Sequence, residues 1–377
     1  MARSTIKKLD QVIFISDVHF GVRNGSIEWL DNITDYFYRF FIPLVEEQIK
    51  NKHNPCVVIA GDYFDNRQSI DINVLNKAMD VMEKIAELCS VYVMLGNHDL
   101  YKKCDNDITS MRSMENIKNV TLISKEYVLD VSGVTFMLNS WVGDFKEENR
   151  IIAENKDKYD YLVFHTELSG MTYDNNRPIV GGLNMDIADD KCRILSGHIH
   201  KRQESKKGIY FGSPYHLTRS DIGNTKGIYI YNIKDGKAER MFVENKLSPE
   251  FTSVRFSDYG RDPNLWGDVA FGNYIDITFT EKETDVVNVN KFIEELNKMW
   301  SPRKIEIRIE REKIDLHSEE VTVDENGDVI DLRIDPDSTV EEIFEKKLAA
   351  FKLKKKDEKA MNKMNVEYLK RAEEELR

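Results

Sequence analysis

Cysteine is scarce. The 377 residues hold four, at positions 56, 89, 104 and 192, and none is spaced Cys-x-x-Cys. That excludes a disulfide scaffold and a zinc ribbon, and fits reduced thiols in a cytosol. Eight prolines and 19 glycines are too few for a collagen-like or low-complexity chain. No stretch approaches the roughly 20 apolar residues that cross a bilayer. The first ten residues are polar, and the apolar run after them is too short for a signal peptide, so a soluble cytoplasmic protein with no membrane partner is expected. Positive charge is in deficit: 54 Lys and Arg face 66 Asp and Glu, a net charge of −12. Such a chain does not hold nucleic acid through bulk charge; local basic patches, metal ions or a partner must do so. What is present is 41% hydrophobic residues, enough for a core in each of the two or three domains expected at about 150 residues per domain.

Gln11–Ser16 is a short β-branched and aromatic run, read as a buried strand. From Ser26 to about Lys50, Ile27, Leu30, Ile33, Phe37, Phe40, Phe41, Leu44 and Val45 recur at helical spacing, with Ser26 a candidate N-cap and Pro43 a candidate kink. Residues 56–60 form a second strand, Ile72 to Leu88 a second amphipathic helix, and 91–95 a third strand. This order favours a parallel sheet covered by helices. Further strands are expected at 120–123, 127–131, 134–139, 161–164, 192–195, 209–211 and 227–233, with short turns at Ser132-Gly133 and Asp235-Gly236 making the sheets mixed. The first domain spans 1–245. A small α+β domain, 250–334, reads strand (252–256), irregular chain (257–272), strand (274–280), helix (287–300), strand (304–310) and a hairpin around Glu325-Asn326-Gly327. A third segment, 335–377, opens on a capping box, Ser338 with Glu341 or Thr339 with Glu342. One of its possible helices carries Val340, Ile343, Phe344, Leu348 and Phe351 on one face, the other Met361, Met364, Tyr368, Ala372 and Leu376.

Five polar motifs follow five of these strands: Asp17-Val18-His19, Gly61-Asp62-Tyr63-Phe64-Asp65, Gly96-Asn97-His98-Asp99, His165, and Gly197-His198-Ile199-His200. They should converge on one edge of the sheet, where α/β proteins bind ligands. Asp, Asn and His offer oxygen and imidazole donors without thiolate, a set that suits Mn²⁺, Fe²⁺, Zn²⁺ or Mg²⁺. Seven candidate ligands with one central carboxylate point to two ions about 3.5–4 Å apart. The glycines before Asp62, Asn97 and His198 allow tight strand-to-loop turns where a Cβ would obstruct the backbone. Taken singly, Asp17 reads as a turn residue and His165 as a satisfied core histidine. Five of the eight histidines fall in these motifs, which reverses that reading. Asp65 is supporting or structural, and His216, in Gly212-Ser213-Pro214-Tyr215-His216, has no assigned role.

In this order the motifs resemble those of the calcineurin-like metallophosphoesterases, and the resemblance covers residues 17–200. It implies a four-layer αββα sandwich of mixed sheets. Asp17, His19, Asp62 and His200 would hold one divalent metal, and Asp62, Asn97, His165 and His198 the other. His98 would serve as the catalytic acid that protonates the leaving oxygen or would stabilise the phosphorane-like state, and Asp99 would orient its ring, though Asp99 could equally cap a helix.

Three features resemble the SbcD-type nuclease branch, the meiotic-recombination-eleven family. Gly61-Asp-Tyr-Phe-Asp65 matches its second motif, continued by Asn66-Arg67 and later by Asp99 where protein phosphatases differ. The run Tyr210–Arg219 matches its Gly-Ser-Pro segment, and the layout adds a small cap and terminal helices. This implies a Mn²⁺-dependent (or Mg²⁺-dependent) DNA exonuclease and endonuclease in double-strand-break processing and recombination. Its partners would be DNA, an SMC-like coiled-coil ATPase and a second copy of the chain, paired through helix 72–88 or segment 100–118. Lys201, Arg202, Arg303 and Lys304 are candidate DNA contacts or an ordinary solvated face. Ile343, Phe344, Leu348, Phe351, Met364 and Tyr368 are candidate ATPase contacts or pack on their own domain. The composition suits a phage or low-GC bacterial source, which would place the protein in a host cytoplasm. The alternative is a phosphoesterase for small phosphomono- or diesters.

Overall fold

The computed structural model describes residues 8–102, 105–310, 321–323 and 329–331. The helical pair expected at 335–377, with Ile343, Phe344, Leu348, Phe351, Met364 and Tyr368, lies outside them. The chain divides into two compact units, Met1–Phe279 with Glu283–Arg308, and Thr280–Lys282 with Ile309–Arg377.

The strands of the first half are β1 (Gln11–Ile15), β2 (Pro55–Ala60), β3 (Ser90–Met94), β4 (Leu100–Lys102), β5 (Asp105–Thr109), β6 (Val120–Ile123), β7 (Glu126–Val131) and β8 (Val134–Asn139). Then follow β9 (Tyr161–His165), β10 (Arg193–Gly197), β11 (Gln203–Glu204), β12 (Gly208–Tyr210), β13 (Gly227–Lys234) and β14 (Lys237–Glu244). One six-stranded sheet runs β14-β13-β1-β2-β3-β6 and a second β11-β12-β10-β9-β8-β7. Both are mixed: β1, β2, β3 and β6 are parallel, as are β8, β9, β10 and β12, with antiparallel strands at the edges.

The period-two alternation of β1 explains the layering. Val12 and Phe14 face the second sheet, where they join Cys56, Val58, Phe136, Val163, Leu195 and Phe211 in one core. The Phe14 ring stacks on Phe211 at 4.9 Å. Ile13 and Ile15 face the other way, onto helices Ile27–Tyr36 and Ile72–Leu88. The outer face of the second sheet, with Leu162, Phe164 and Ile194, packs on Ile152 of helix Phe145–Asn155. The result is the expected α/β four-layer sandwich of mixed sheets.

Two local expectations need correction, and helix Phe145–Asn155 and strand β14 are additions to them. The helix from Ser26 to Lys50 is interrupted by a π-helical turn at Phe37–Phe41, directly before Pro43. The turn adjusts the hydrogen-bond ladder just where proline lacks its N–H. Ser26 stands at the N-cap position but makes no side-chain cap bond. Helix Phe145–Asn155 was not anticipated, because only Glu148 and Ile152 are buried along it. Its available signal is a cap: Asp144 accepts from the Lys146 amide at 2.9 Å, and Glu147 and Glu148 fill the first turn. Strand β14 was also missed, its charged Lys237, Glu239 and Arg240 masking an edge strand that pairs fully with β13.

Residues 251–308 add β15 (Phe251–Arg255), β16 (Tyr274–Thr280) and β17 (Lys304–Glu310), in the order β15-β16-β17, with helix Val289–Trp300. Trp266, Ile275, Ile277, Phe279, Phe292 and Leu296 make their core. Short helices at Phe256–Tyr259, Pro263–Trp266 and Gly267–Ala270 occupy the stretch expected to be irregular. This cap joins the sandwich through Trp29, which stacks on Phe251 and Tyr274. Arg219 adds ion pairs to Asp276 and Glu306. His216 accepts the Phe251 amide on Nδ1 and donates from Nε2 to the Asn224 carbonyl, both at 3.1 Å. His216 is therefore a strut between the sandwich and the cap. In the second unit, β18 (Val321–Val323) and β19 (Val329–Asp331) form an antiparallel hairpin. Among the described residues no helix is long and apolar enough to cross a membrane.

Candidate metal centre

The five motifs meet at one place, but from two sheets. Asp17, His19, Asp62, Asn97 and His98 follow β1, β2 and β3, while His165, His198 and His200 lie at the ends of β9 and β10. The expected single sheet edge is thus the common C-terminal rim of both sheets. Beyond β1 and β2 the two loops stay laddered: the Asp17 amide donates to the Gly61 carbonyl and the His19 amide to the Asp62 carbonyl. Asp17, His19, Asp62 and His198 all adopt left-handed backbone (φ 55, 54, 52 and 84°). That conformation is costly for non-glycine residues and concentrates at functional sites.

Besides a group of His19, Asp65 and His98, two clusters among the described residues gather the expected ligands. In the first, Asp17, His19 and His200 bring one donor atom each within 4.8 Å of one another; in the second, Asp62, His165 and His198 do the same. The Nε2 atoms of His19 and His200 lie 3.1 Å apart. Asp62 stands between the clusters, its Oδ2 3.1 Å from His165 Nε2 and 3.8 Å from His19 Nε2. Asn97 Oδ1 lies 2.8 Å from His198 Nδ1.

The donor set fits divalent cations. His165 Nδ1 donates to the Ala60 carbonyl at 2.7 Å, so its buried Nε2 is the ring atom that faces Asp62 Oδ2 and is the one a cation would take in place of a proton. Burial disfavours a charged His165 ring, but the Asp62 carboxylate outweighs it and lifts the pKa to about 9. Burial also opposes a charged Asp62, and His165, His19 and His98 together still hold it well below the usual carboxylate range. Burial, with His19 next, drives His200 well below the ordinary histidine value. Asp62 is thus a carboxylate set among positive partners, a place that a bound cation would suit.

His98 sits beside this pair, its ring 5.0 Å from that of His19. Its Nδ1 lies 2.6 Å from the Asp65 carbonyl, and its amide donates to Asp62 Oδ1 at 2.8 Å. The expected role of Asp99 is corrected here. Asp99 is fully buried and accepts the amides of Tyr63, Phe64 and Gly96. It locks the second motif to the third, while the Asp65 backbone orients the His98 ring. Burial and the nearby Asp62 push the Asp99 pKa up to about 7, against the Gly96 and Phe64 amides. The Asp65 carboxylate lies 3.1 Å from His19 Nδ1, so Asp65 supports two histidines.

Three of the four candidate DNA contacts, Lys201, Arg202 and Lys304, are held by their own neighbours. Arg202 lies over the Phe242 ring at 4.4 Å and reaches Glu204 and Tyr229. Lys201 contacts Asn176, and Lys304 pairs with Glu306. Arg303 lines a cleft with Asn32, Arg39, Lys246 and Phe271. Arg308, in the same basic cluster by sequence, pairs with the buried Asp276.

Sequence reasoning passed over Trp141, Glu167 and Glu148. Trp141 follows β8, the parallel neighbour of β9, and its ring is 5.3 Å from His198 and 6.3 Å from His165. The signal was available: it too lies past the C-terminal end of a parallel strand. Glu167 Oε1 lies 3.9 Å from His198 Nε2. Glu148, 1% exposed, accepts the Thr166 hydroxyl at 2.7 Å directly behind His165. Burial, reinforced by Asp144 and Glu167 and opposed by Thr166 and His165, raises its pKa to about 7. The folded chain therefore binds this proton more tightly than the unfolded one, and stability falls as pH rises from about 4.5 to about 7. Glu148→Gln removes that loss. Its melting temperature in EDTA should exceed that of the parent at pH 8, by up to about 3 kcal/mol of stability, and match it near pH 4. Equal melting at both pH values would refute a buried, protonated Glu148.

Residues 11–202 match the family model of calcineurin-like phosphoesterases, and the chain belongs to that family. Among curated proteins it is similar to exonuclease subunit 1 of Enterobacteria phage T4, 23% identical over 319 residues that cover 83% of this chain and 88% of the phage protein. It is also similar to phosphoesterase 078R of Invertebrate iridescent virus 3, 27% identical over 261 residues, 64% of this chain and 69% of that one. Among solved structures, nuclease MPE of Pseudomonas putida aligns with 12% identity and a TM-score of 0.30, covering 61% of this chain and 87% of the other. The calcineurin-like phosphoesterase YfkN of Bacillus subtilis aligns with 11% identity and a TM-score of 0.36, covering 63% and 91%.

Proposed function

We propose that this chain is a two-metal DNA nuclease subunit that hydrolyses phosphodiesters, with Mn²⁺ as its working ion. The observation that favours a nucleic-acid chain over a small ester as substrate is the span of the phage exonuclease match. At 83% of the chain it is longer than the phosphoesterase domain and extends into the cap, a part that a small-ester hydrolase does not need. The mixed imidazole and oxygen donor set supports Mn²⁺.

Asp17, His19, Asp62 and His200 hold one ion in this reading, and Asp62, Asn97, His165 and His198 the other. Bound there, the two ions supply Lewis acidity toward the phosphoryl oxygens and toward water. The protein supplies the rest. His98, with Nδ1 tied to the Asp65 carbonyl, keeps Nε2 for the proton that the leaving sugar oxygen needs. Trp141 offers an aromatic face beside His198, suited to a nucleobase. The net charge of −12 makes the isolated chain a weak, salt-sensitive DNA binder. An SMC-like ATPase docking on residues 335–377, and pairing of two copies, complete the proposed assembly in double-strand-break processing.

The test is end-labelled duplex DNA and bis-p-nitrophenyl phosphate, each with Mn²⁺, Mg²⁺ or EDTA, for the parent and His98→Ala. Mn²⁺-dependent shortening of the DNA is expected, reduced about 10²–10⁴-fold in the variant as for loss of a general acid. Turnover of the small ester with DNA left intact, even beside a candidate ATPase, would favour the small-substrate alternative.

A further inference from the structure

Lys226 is 3% exposed, and all three of its ammonium protons are used. They go to Asp221 Oδ1 at 2.5 Å, the Ser213 hydroxyl at 2.9 Å and the backbone carbonyl of His200 at 2.7 Å. Asp221 is 1% exposed, and its other oxygen accepts the amides of Leu217 and Thr218. A buried ion pair brings little stability over an apolar pair of the same size, so the charge calls for another account. One of its three bonds ends on a residue whose ring belongs to the first ligand cluster. The His200 carbonyl also accepts the Ser213 amide at 3.0 Å, so the peptide after His200 is fixed from two sides.

We infer that Lys226 is a positioning residue for His200. Fixing that carbonyl fixes the peptide plane and hence the direction in which the imidazole leaves the backbone. Asp221 anchors the ammonium that does it. The inference rests on reading the cluster as a metal site. The turn that Asp221 anchors is also clamped to the cap, through Arg219 on Asp276 and Glu306. The seat of His200 and the seat of the cap therefore share one loop.

The test is Mn²⁺ binding to the full chain, read by calorimetry and by loss of the free-ion EPR signal, with melting in EDTA as the check on folding. The variants are Lys226→Met and the charge-neutral pair Lys226→Gln with Asp221→Asn. Should neither melt cooperatively, Asp221→Asn alone, which keeps the ammonium but loosens its anchor, decides. A folded variant is expected to keep one Mn²⁺ at parental strength and to bind the other about tenfold or more weakly, the scale of losing support behind a ligand. A folded variant that binds both ions as the parent does overturns the inference and leaves the metal reading standing. A parent chain that binds no Mn²⁺ overturns both.

Discussion

On the proposed two-metal reading, Asp62→Asn is expected to lower phosphodiester hydrolysis by about 10³-fold or more, several kcal/mol of lost charge stabilisation, and to weaken both metal sites together. The geometry requires the two losses to be coupled. Asp62 Oδ2 faces His165 and His19, one from each cluster, at 3.1 and 3.8 Å. Its Oδ1 accepts the His98 amide, so the substitution also disturbs the proposed acid. Asparagine keeps the shape but loses the charge that His165 and His19 share. The measurement is a Mn²⁺ titration beside turnover of bis-p-nitrophenyl phosphate. Loss of one ion with the second unchanged would show that Asp62 is not shared. A second readout needs no metal: with EDTA present, the His165 ring should titrate lower in the variant, because Asp62 is what raises its pKa to about 9.

The sandwich was legible because its central strands are short continuous runs of β-branched and aromatic residues, as in Gln11–Ile15 and Pro55–Ala60. Val12 and Phe14 against Ile13 and Ile15 is enough to infer a strand covered on both faces. The motifs were legible because Asp, Asn and His stand directly past the ends of such strands. Which sheet each strand belongs to was not legible: β3 and β9 read alike, and only long-range pairing assigns them to different sheets. The role of Asp99 went astray for a related reason. Its proximity to His98 in sequence suggested a hydrogen bond, but in space its oxygens face the amides of Tyr63 and Phe64, more than thirty residues earlier. Lys226 had no signal at all. A lysine before a strand reads as solvated, and its burial depends on Asp221 and on a carbonyl 26 residues away.

The glycines show the same distinction and yield the second large effect. Gly61 has φ +93°, so a tight turn does account for it. Gly96 is different. Its backbone is open to any residue, yet a Cβ there would fall on the amide and Oδ1 of Asp62. Its absence of side chain is what lets the end of β3 close against the end of β2. Asp62 cannot retreat, since it is held in left-handed backbone and packed against His165. Gly96→Ala should therefore cost about 1–3 kcal/mol of stability, as overpacking does. Because the shift falls on the shared carboxylate, it should also cost about 10²-fold in activity, the scale of a misplacement near 1 Å. Gly181→Ala is the control: no atom lies within 4 Å of its added methyl group, and it has no left-handed φ. Melting and turnover of the two variants separate the ideas. If Gly96→Ala behaves like Gly181→Ala, the close approach of β3 to Asp62 is not what builds the site. If it loses Mn²⁺ affinity and activity in parallel while still melting cooperatively, strand-end packing, and not the ligand side chains alone, sets the geometry of the metal centre.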